Sequence, residues 1–195
     1  MRAAKALSTL VLLSVASLPA LAHWSLVSEQ SDLHFVSVKN DVIAETSQFT
    51  RFSANVDDKG KVDITVDLSS VDTLIELRDQ RLRDIFFSTE QFPTALLSAQ
   101  LGADFLDELT IDEPKALDLE LNITLHGESQ TVPARLSVTK LNSHSLLVST
   151  RSPILINASD FALLEGIQQL QSIAGLKSIE PVVPVTGVWT FKVEH

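Results

Sequence analysis

Two runs of strict apolar and polar alternation limit what this chain can fold into more than any other feature. Over residues 115–125, Leu117, Leu119, Leu121, Ile123 and Leu125 alternate with Asp118, Glu120, Asn122 and Thr124; over 62–68, Val62, Ile64, Val66 and Leu68 alternate with Asp63, Thr65 and Asp67. Successive side chains of a β-strand point to opposite faces, so each run is a strand with one face on a core and the other in water, as in antiparallel sheet. Residues 24–27, 33–38, 49–56, 94–101, 132–138, 146–151 and 182–193 also read as strands. Among these, Phe52, Ala54 and Val56 share a face, Ala134, Leu136 and Val138 extend the inward row of the returning strand, and Val183, Val185, Gly187, Trp189, Phe191 and Val193 form a single row. Asp57-Asp58-Lys59-Gly60 is a hairpin turn whose glycine can take positive φ, and residues 126–130 turn the chain again. Pro133 lies at an outward position, which places it at a sheet edge or a bulge.

One stretch, residues 68–93, breaks the pattern of two and takes up a period near 3.6, which predicts a helical insertion. Thr73 and Glu76 have capping-box spacing, so the helix is expected to start near Leu74. Leu74, Ile75, Leu77, Leu82, Ile85 and Phe86 fall on one half of the wheel. Arg78 and Arg81 fall there too and require a carboxylate or a polar ligand, with Asp79 and Asp84 the nearest anions. A second helix is expected over 161–174, with Asp160 as cap, Leu163, Leu164, Ile167, Leu170 and Ala174 as its stripe, and Gly175 and Lys177 at its stop. Gly166 weakens it. Residues 102–113 read as a solvated acidic loop without calcium-loop spacing.

The amino terminus carries an address. Arg2 and Lys5 precede an apolar run over 6–18, and Ala20-Leu21-Ala22 has the small-x-small spacing of a cleavage site, so residues 1–22 read as a secretory signal peptide and 23–195 as one domain. No later run is long and apolar enough to span a membrane. Removing the leader and its two cations takes the formal charge from -10 to -12, which disfavours nucleic acid and anionic lipid surfaces. With no cysteine there is neither disulfide nor thiol chemistry. The 173 residues left are enough to bury roughly 70% of the unfolded surface in one core.

Catalytic patterns are missing. There is no G-x-S-x-G elbow, no glycine-rich phosphate loop and no basic patch interleaved with aromatics, and the carboxylates sit on outward strand faces and loops. Cleavage after Ala22 would leave His23 as an amino terminus able to chelate copper, but a working site needs a further histidine, and His34 and His126 read as solvent-facing. The chain reads as a non-enzyme with no cofactor and no metal. About eight antiparallel strands with two short helices suggest a closed or nearly closed barrel, since closure removes exposed edges. Its inward rows carry almost no polar atoms, so any cavity is apolar, and a packed interior fits the rows equally well.

In order along the chain, Trp24-Ser25-Leu26, Ser31-x-Leu33-x-Phe35, Phe49-x-x-Phe52, Leu68-x-Ser70-Val71-Asp72-Thr73, Arg78-Asp79-x-x-Leu82-Arg83, Phe86-Phe87, Phe92-Pro93-Thr94 and Leu125-His126-Gly127 resemble the YceI-like family of periplasmic, polyisoprenoid-binding, lipocalin-like proteins. Three positions depart from that pattern: Ser47 replaces a frequent glycine, Arg81 a common histidine, and Asp160-Phe161-Ala162 a D-F-G-like turn. The resemblance implies a mainly β protein, a single eight-stranded antiparallel lipocalin-like barrel in the periplasm. It also implies a non-enzymatic carrier for an isoprenoid or other long-chain amphiphilic lipid. The ligand walls would come from Phe35, Leu121, Ile123, Val138, Trp189 and Phe191, with Arg78 at the headgroup and Asp79 orienting it. A homodimer is compatible with this reading. The alternative is a packed barrel that serves as a protein-interaction or stress-protective module.

Overall fold

The computed structural model describes residues 23–194. The expected leader lies outside the described residues. Twelve strands form one antiparallel sheet: β1 (His23–Leu26), β2 (Asp32–Lys39), β3 (Ile43–Phe49), β4 (Phe52–Val56), β5 (Lys61–Asp67), β6 (Val71–Asp72), β7 (Thr94–Gln100), β8 (Pro114–Leu125), β9 (Glu128–Asn142), β10 (Ser145–Thr150), β11 (Ile154–Asn157) and β12 (Val182–Glu194). Several are segments of one stave broken by a kink. β12 shows this best, because β1 pairs with its C-terminal half (Leu26↔Phe191) and β2 with its N-terminal half (Leu33↔Gly187), while β10 and β11 divide its other edge in the same way (Leu146↔Phe191, Ile154↔Val185). β3 with β4, and β5 with β6, make two more broken staves. The ring closes through β12, which gives an eight-stave antiparallel barrel.

The break between β3 and β4, where a single strand over 49–56 was expected, has a specific cause. The Thr50 N–H donates to the Ser70 carbonyl, the Arg51 N–H to Ser70 Oγ, and the Arg51 side chain reaches Asp67 and Ser69. These partners come from about 20 residues further along the chain, so the kink is a tertiary feature. β3 itself escapes sequence reading because its inward positions are Glu45, Ser47 and Phe49, a row that begins polar. Pro133 pairs with Glu120 of β8 where β9 extends beyond the end of β10, whose ladder reaches only to Leu136. The proline therefore occupies an open edge. The 57–60 turn forms with Gly60 at φ 75°, and the expected 126–130 turn tightens to His126-Gly127, at φ 53° and 84°, the two-residue hairpin geometry.

Two helical segments lie over one end of the barrel. α1 (Glu76–Arg81) starts two residues later than expected, after Leu74 at φ 62°, and widens into a π-helical turn over Leu82–Phe86 that the Phe87 N–H closes onto the Leu82 carbonyl at 2.8 Å. The capping box does not form. Glu76 pairs with Arg83 at 2.7 Å, while Leu74, Ile75 and Leu77 are exposed, Leu74 at 86%. Those three are apolar by spacing but lie on the rim, outside the packed face. α2 (Leu164–Ala174) follows a 3-10 turn over Ala158–Phe161 and ends at Gly175, whose φ of 62° closes the last turn. Asp160 does not cap α2: it lies within the 3-10 turn, which Asn157 caps by accepting from the Ser159 N–H, and the N-cap position of α2 is Leu163, with no side-chain cap. Leu163 and Ile167 are buried, whereas Leu164 and Ala174 are exposed. At the opposite end the acidic loop is not wholly solvated: Leu109 is buried, and Phe105 and Leu106 pack with Trp24, Leu101 and Phe191 to form a floor.

Candidate functional site

Inside the barrel the inward rows leave a cavity of about 250 Å³ whose lining residues are all aliphatic or aromatic. Leu117, Leu119, Leu121, Ile123 and Leu125 all line it. At ~3.3 Å per residue these eight steps cover about 26 Å along β8, which at the roughly 35–45° tilt of barrel strands is about 20 Å along the axis. The cavity is thus an elongated tunnel inside the barrel. Phe35, Leu121, Ile123, Val138, Trp189 and Phe191 all face it. Trp189 fits because Gly187 has no side chain: a Cβ there would lie 2.1 Å from the indole Cζ2. Near the helices, Phe35, Phe49, Phe87 and Phe86 form a chain of ring contacts with centroids 5.3, 5.9 and 4.8 Å apart.

Phe35 also borders a second cavity of about 380 Å³, lined by the β2–β3 hairpin, α1, α2 and the segment after α2. Here the inner face changes chemistry residue by residue. Along β2 the row runs Leu33, Phe35, Ser37, Lys39, and on β3, in register, it runs Phe49, Ser47, Glu45. Apolar walls thus give way to hydroxyls and then to charges within three strand positions. Ser47 and Arg81, two of the departures from the family pattern, both line this vestibule.

Arg78 projects from α1 across the vestibule onto Glu45, with Nη1 at 3.0 Å and Nη2 at 3.4 Å from the carboxylate oxygens. Lys39 Nζ lies 2.6 Å from the same carboxylate. The Lys39 hydrogen bond, aided by the charge of Arg78 and opposed by partial burial, holds the Glu45 carboxyl below the ordinary carboxylate range. Asp79 does not orient Arg78. Its buried carboxylate instead accepts from the Thr73 N–H at 2.8 Å and the Thr73 hydroxyl at 2.6 Å, and so ties the start of α1 to β6. Arg81 is half-buried and lines the vestibule, with no hydrogen bond or ion pair to any described residue.

Lys39, Glu45 and Ser37 were not singled out from the sequence. The signal that could have found them is parity: they continue the inward rows of Phe35 and Phe49, but with polar residues. His126 is not solvent-facing as expected. It packs against Phe92 with centroids 4.3 Å apart, and its Nδ1 is buried without a partner. Among the described residues no three His, Asp or Glu side chains group as metal ligands.

The model of the YceI-like domain matches residues 24–191. The chain belongs to the YceI-like family. Among solved structures, a polyisoprenoid-binding domain from Saccharophagus degradans, implicated in plant cell wall breakdown, is 31% identical, with a TM-score of 0.85 over 88% of this chain and 98% of that one. BcnA from Burkholderia cenocepacia (17% identity, 85% and 98% coverage, TM-score 0.65) and a YceI protein from Campylobacter jejuni (18%, 76% and 84%, 0.53) share the fold. A comparison with curated proteins gives no match. In this YceI-like domain no helix among the described residues is long and apolar enough to cross a membrane.

Proposed function

We propose that this YceI-like protein is a non-enzymatic periplasmic carrier that holds an isoprenoid or similar long-chain amphiphile inside its barrel. The observation that carries the reading is the tunnel, lined throughout by aliphatic and aromatic side chains. The tunnel, at about 250 Å³, lies just under the ~300–1,000 Å³ usual for ligand sites, and the vestibule, at about 380 Å³, lies within it. Removing apolar surface from water at about 25 cal/mol per Å² binds such a chain without covalent chemistry or a cofactor. The Saccharophagus relative, described as polyisoprenoid-binding, supports the ligand class. The leader-like residues 1–22 support export. Organic extraction of the purified protein followed by mass spectrometry should yield a prenyl or acyl lipid, and a fluorescent prenyl probe should be taken up. If no lipid is found and no probe is taken up, the barrel is better read as a packed interaction module.

A further inference from the structure

The tunnel wall is not hydrogen-bonded strand all the way round. β10 bridges β9 and β12 at one level, but its ladder with β9 ends at Thr150↔Leu136, followed by a single bond from the Arg151 N–H to the Arg135 carbonyl at 2.8 Å. Beyond that point the stave continues as β11, which pairs with β12 alone. β9 meanwhile runs on from Ala134 to Glu128 with β8 on one edge and no strand on the other. At the level of β11 the barrel therefore parts between β9 and β11.

What fills the parting is the 3-10 turn after β11 and the two residues that follow it, 158–163. Ala158, Phe161 and Leu163 are buried in one cluster with Ala134 and Leu136 of β9 and Ile154 of β11, and Ala158 and Leu163 also line the tunnel. We infer that residues 158–163 are a side lid, and that the carried chain enters and leaves the tunnel through the barrel wall between β9 and β11. The inference rests on the carrier reading and adds the route. Two features set this piece of wall apart from the strands. Strand is held to strand by a ladder of backbone bonds, whereas among the described residues the lid is joined to β9 by one hydrogen bond, from Gln130 Nε2 to the Asp160 carbonyl at 3.1 Å. The rest of its hold is apolar packing, which has no direction and which a passing prenyl chain replaces. Ala162, moreover, sits at φ 54° and ψ 28°, a left-handed conformation that its Cβ disfavours, so the closed turn stores strain that opening releases. Both ends are fixed, by the Ala158 N–H on the Pro181 carbonyl at 2.9 Å and by Gly166 of α2 against the backbone of Ile85 and Phe86, which confines the movement to the turn.

The chain has no cysteine, so paired substitutions supply the only thiols. Gln130→Cys with Asp160→Cys, joined by a thiol-cleavable bis-maleimide, straps the lid to β9; Glu108→Cys with Lys115→Cys, an ion pair at the opposite end, is the control strap. With the lid strapped, uptake of dansyl-labelled farnesol and its release from the loaded protein should both slow roughly tenfold or more and recover on cleavage, and the control strap should leave both rates near wild type. Amide exchange of the ligand-free protein needs no probe: the Leu163 N–H should exchange faster than the amides of β12, and Ala162→Gly, which relieves the strain, should slow it roughly threefold. Unaltered rates with the lid strapped, or equal slowing by both straps, would overturn the side route while leaving the carrier reading intact. Exchange at Leu163 as slow as in β12 would overturn the lid without reference to any ligand. If unstrapped wild type takes up no probe, the carrier reading falls and the route with it.

Discussion

Gly187 shows how single residues set the interior. A methyl group there would meet the Trp189 ring at 2.1 and 2.5 Å and the Asp32 carbonyl at 2.8 Å, and neither a packed indole nor a ladder carbonyl can give way freely. Gly187→Ala should therefore cost about 1–3 kcal/mol as overpacking, read as a lower urea midpoint, with a shift in tryptophan emission as the indole moves. Glu45 predicts a pH dependence. Its carboxyl is held below the ordinary value of 4.5 in the folded state, first by Lys39, so it binds a proton more weakly folded than unfolded. The stabilisation from its pairs is then fully present above the unfolded value and lost as pH falls through the lower folded one. The stability difference between wild type and Glu45→Gln should be largest near neutral pH and shrink below about 4.5. A gap that stays constant down to strong acid would show that the Lys39 and Arg78 contacts contribute nothing through ionisation.

Among the elements, α2 and the π-helical turn after α1 make the informative contact. In an exposed helix the glycine at position 166 would be a weakness of about 1 kcal/mol relative to alanine. Packing reverses the argument. Gly166 is buried, and a Cβ there would lie 3.1 Å from Phe86 Cα and 3.3 Å from the Ile85 carbonyl oxygen, so the absent side chain lets α2 approach the backbone of the turn. That approach holds Phe86 at the tunnel wall and sets Leu170 and Ala174 against the vestibule. Gly166→Val should lower the thermal midpoint by the equivalent of roughly 1–3 kcal/mol, despite the better helix propensity of valine, and should raise amide exchange in α2 more than in β8. An unchanged midpoint would show that the two segments do not depend on close packing.

For the whole molecule, the decisive quantity is the space left inside a closed barrel. Leu121 and Ile123 are 6% and 4% exposed, which by burial alone describes an ordinary core, yet both face the tunnel. Leu121→Trp should place the added ring in that space, keep a cooperative thermal transition near that of wild type, and abolish uptake of a prenyl probe. A loss of about 1–3 kcal/mol with probe uptake retained would indicate overpacking outside the tunnel.

Most of the strands, the position of the helical insertion, the turn at Gly60 and the apolar inward rows of β8, β9 and β12 were legible in the residues, whereas β3 and β11 were not. Each legible feature depends on local backbone chemistry or on a period of two, and both are written along the chain. The charged vestibule was not. Glu45 meets Arg78 across 33 positions, Thr50 and Arg51 break their strand against a turn some 20 residues on, and Asp79 turns away from the neighbouring arginine to hold Thr73. Charges are paired by distance in space, which barrel closure sets. The sequence by itself pointed to a closed or nearly closed antiparallel barrel with apolar inward rows; only the tertiary structure decided that the barrel closes around a cavity and that Lys39 and Arg78 meet Glu45 beside it, because both depend on which strands and helices come together in space.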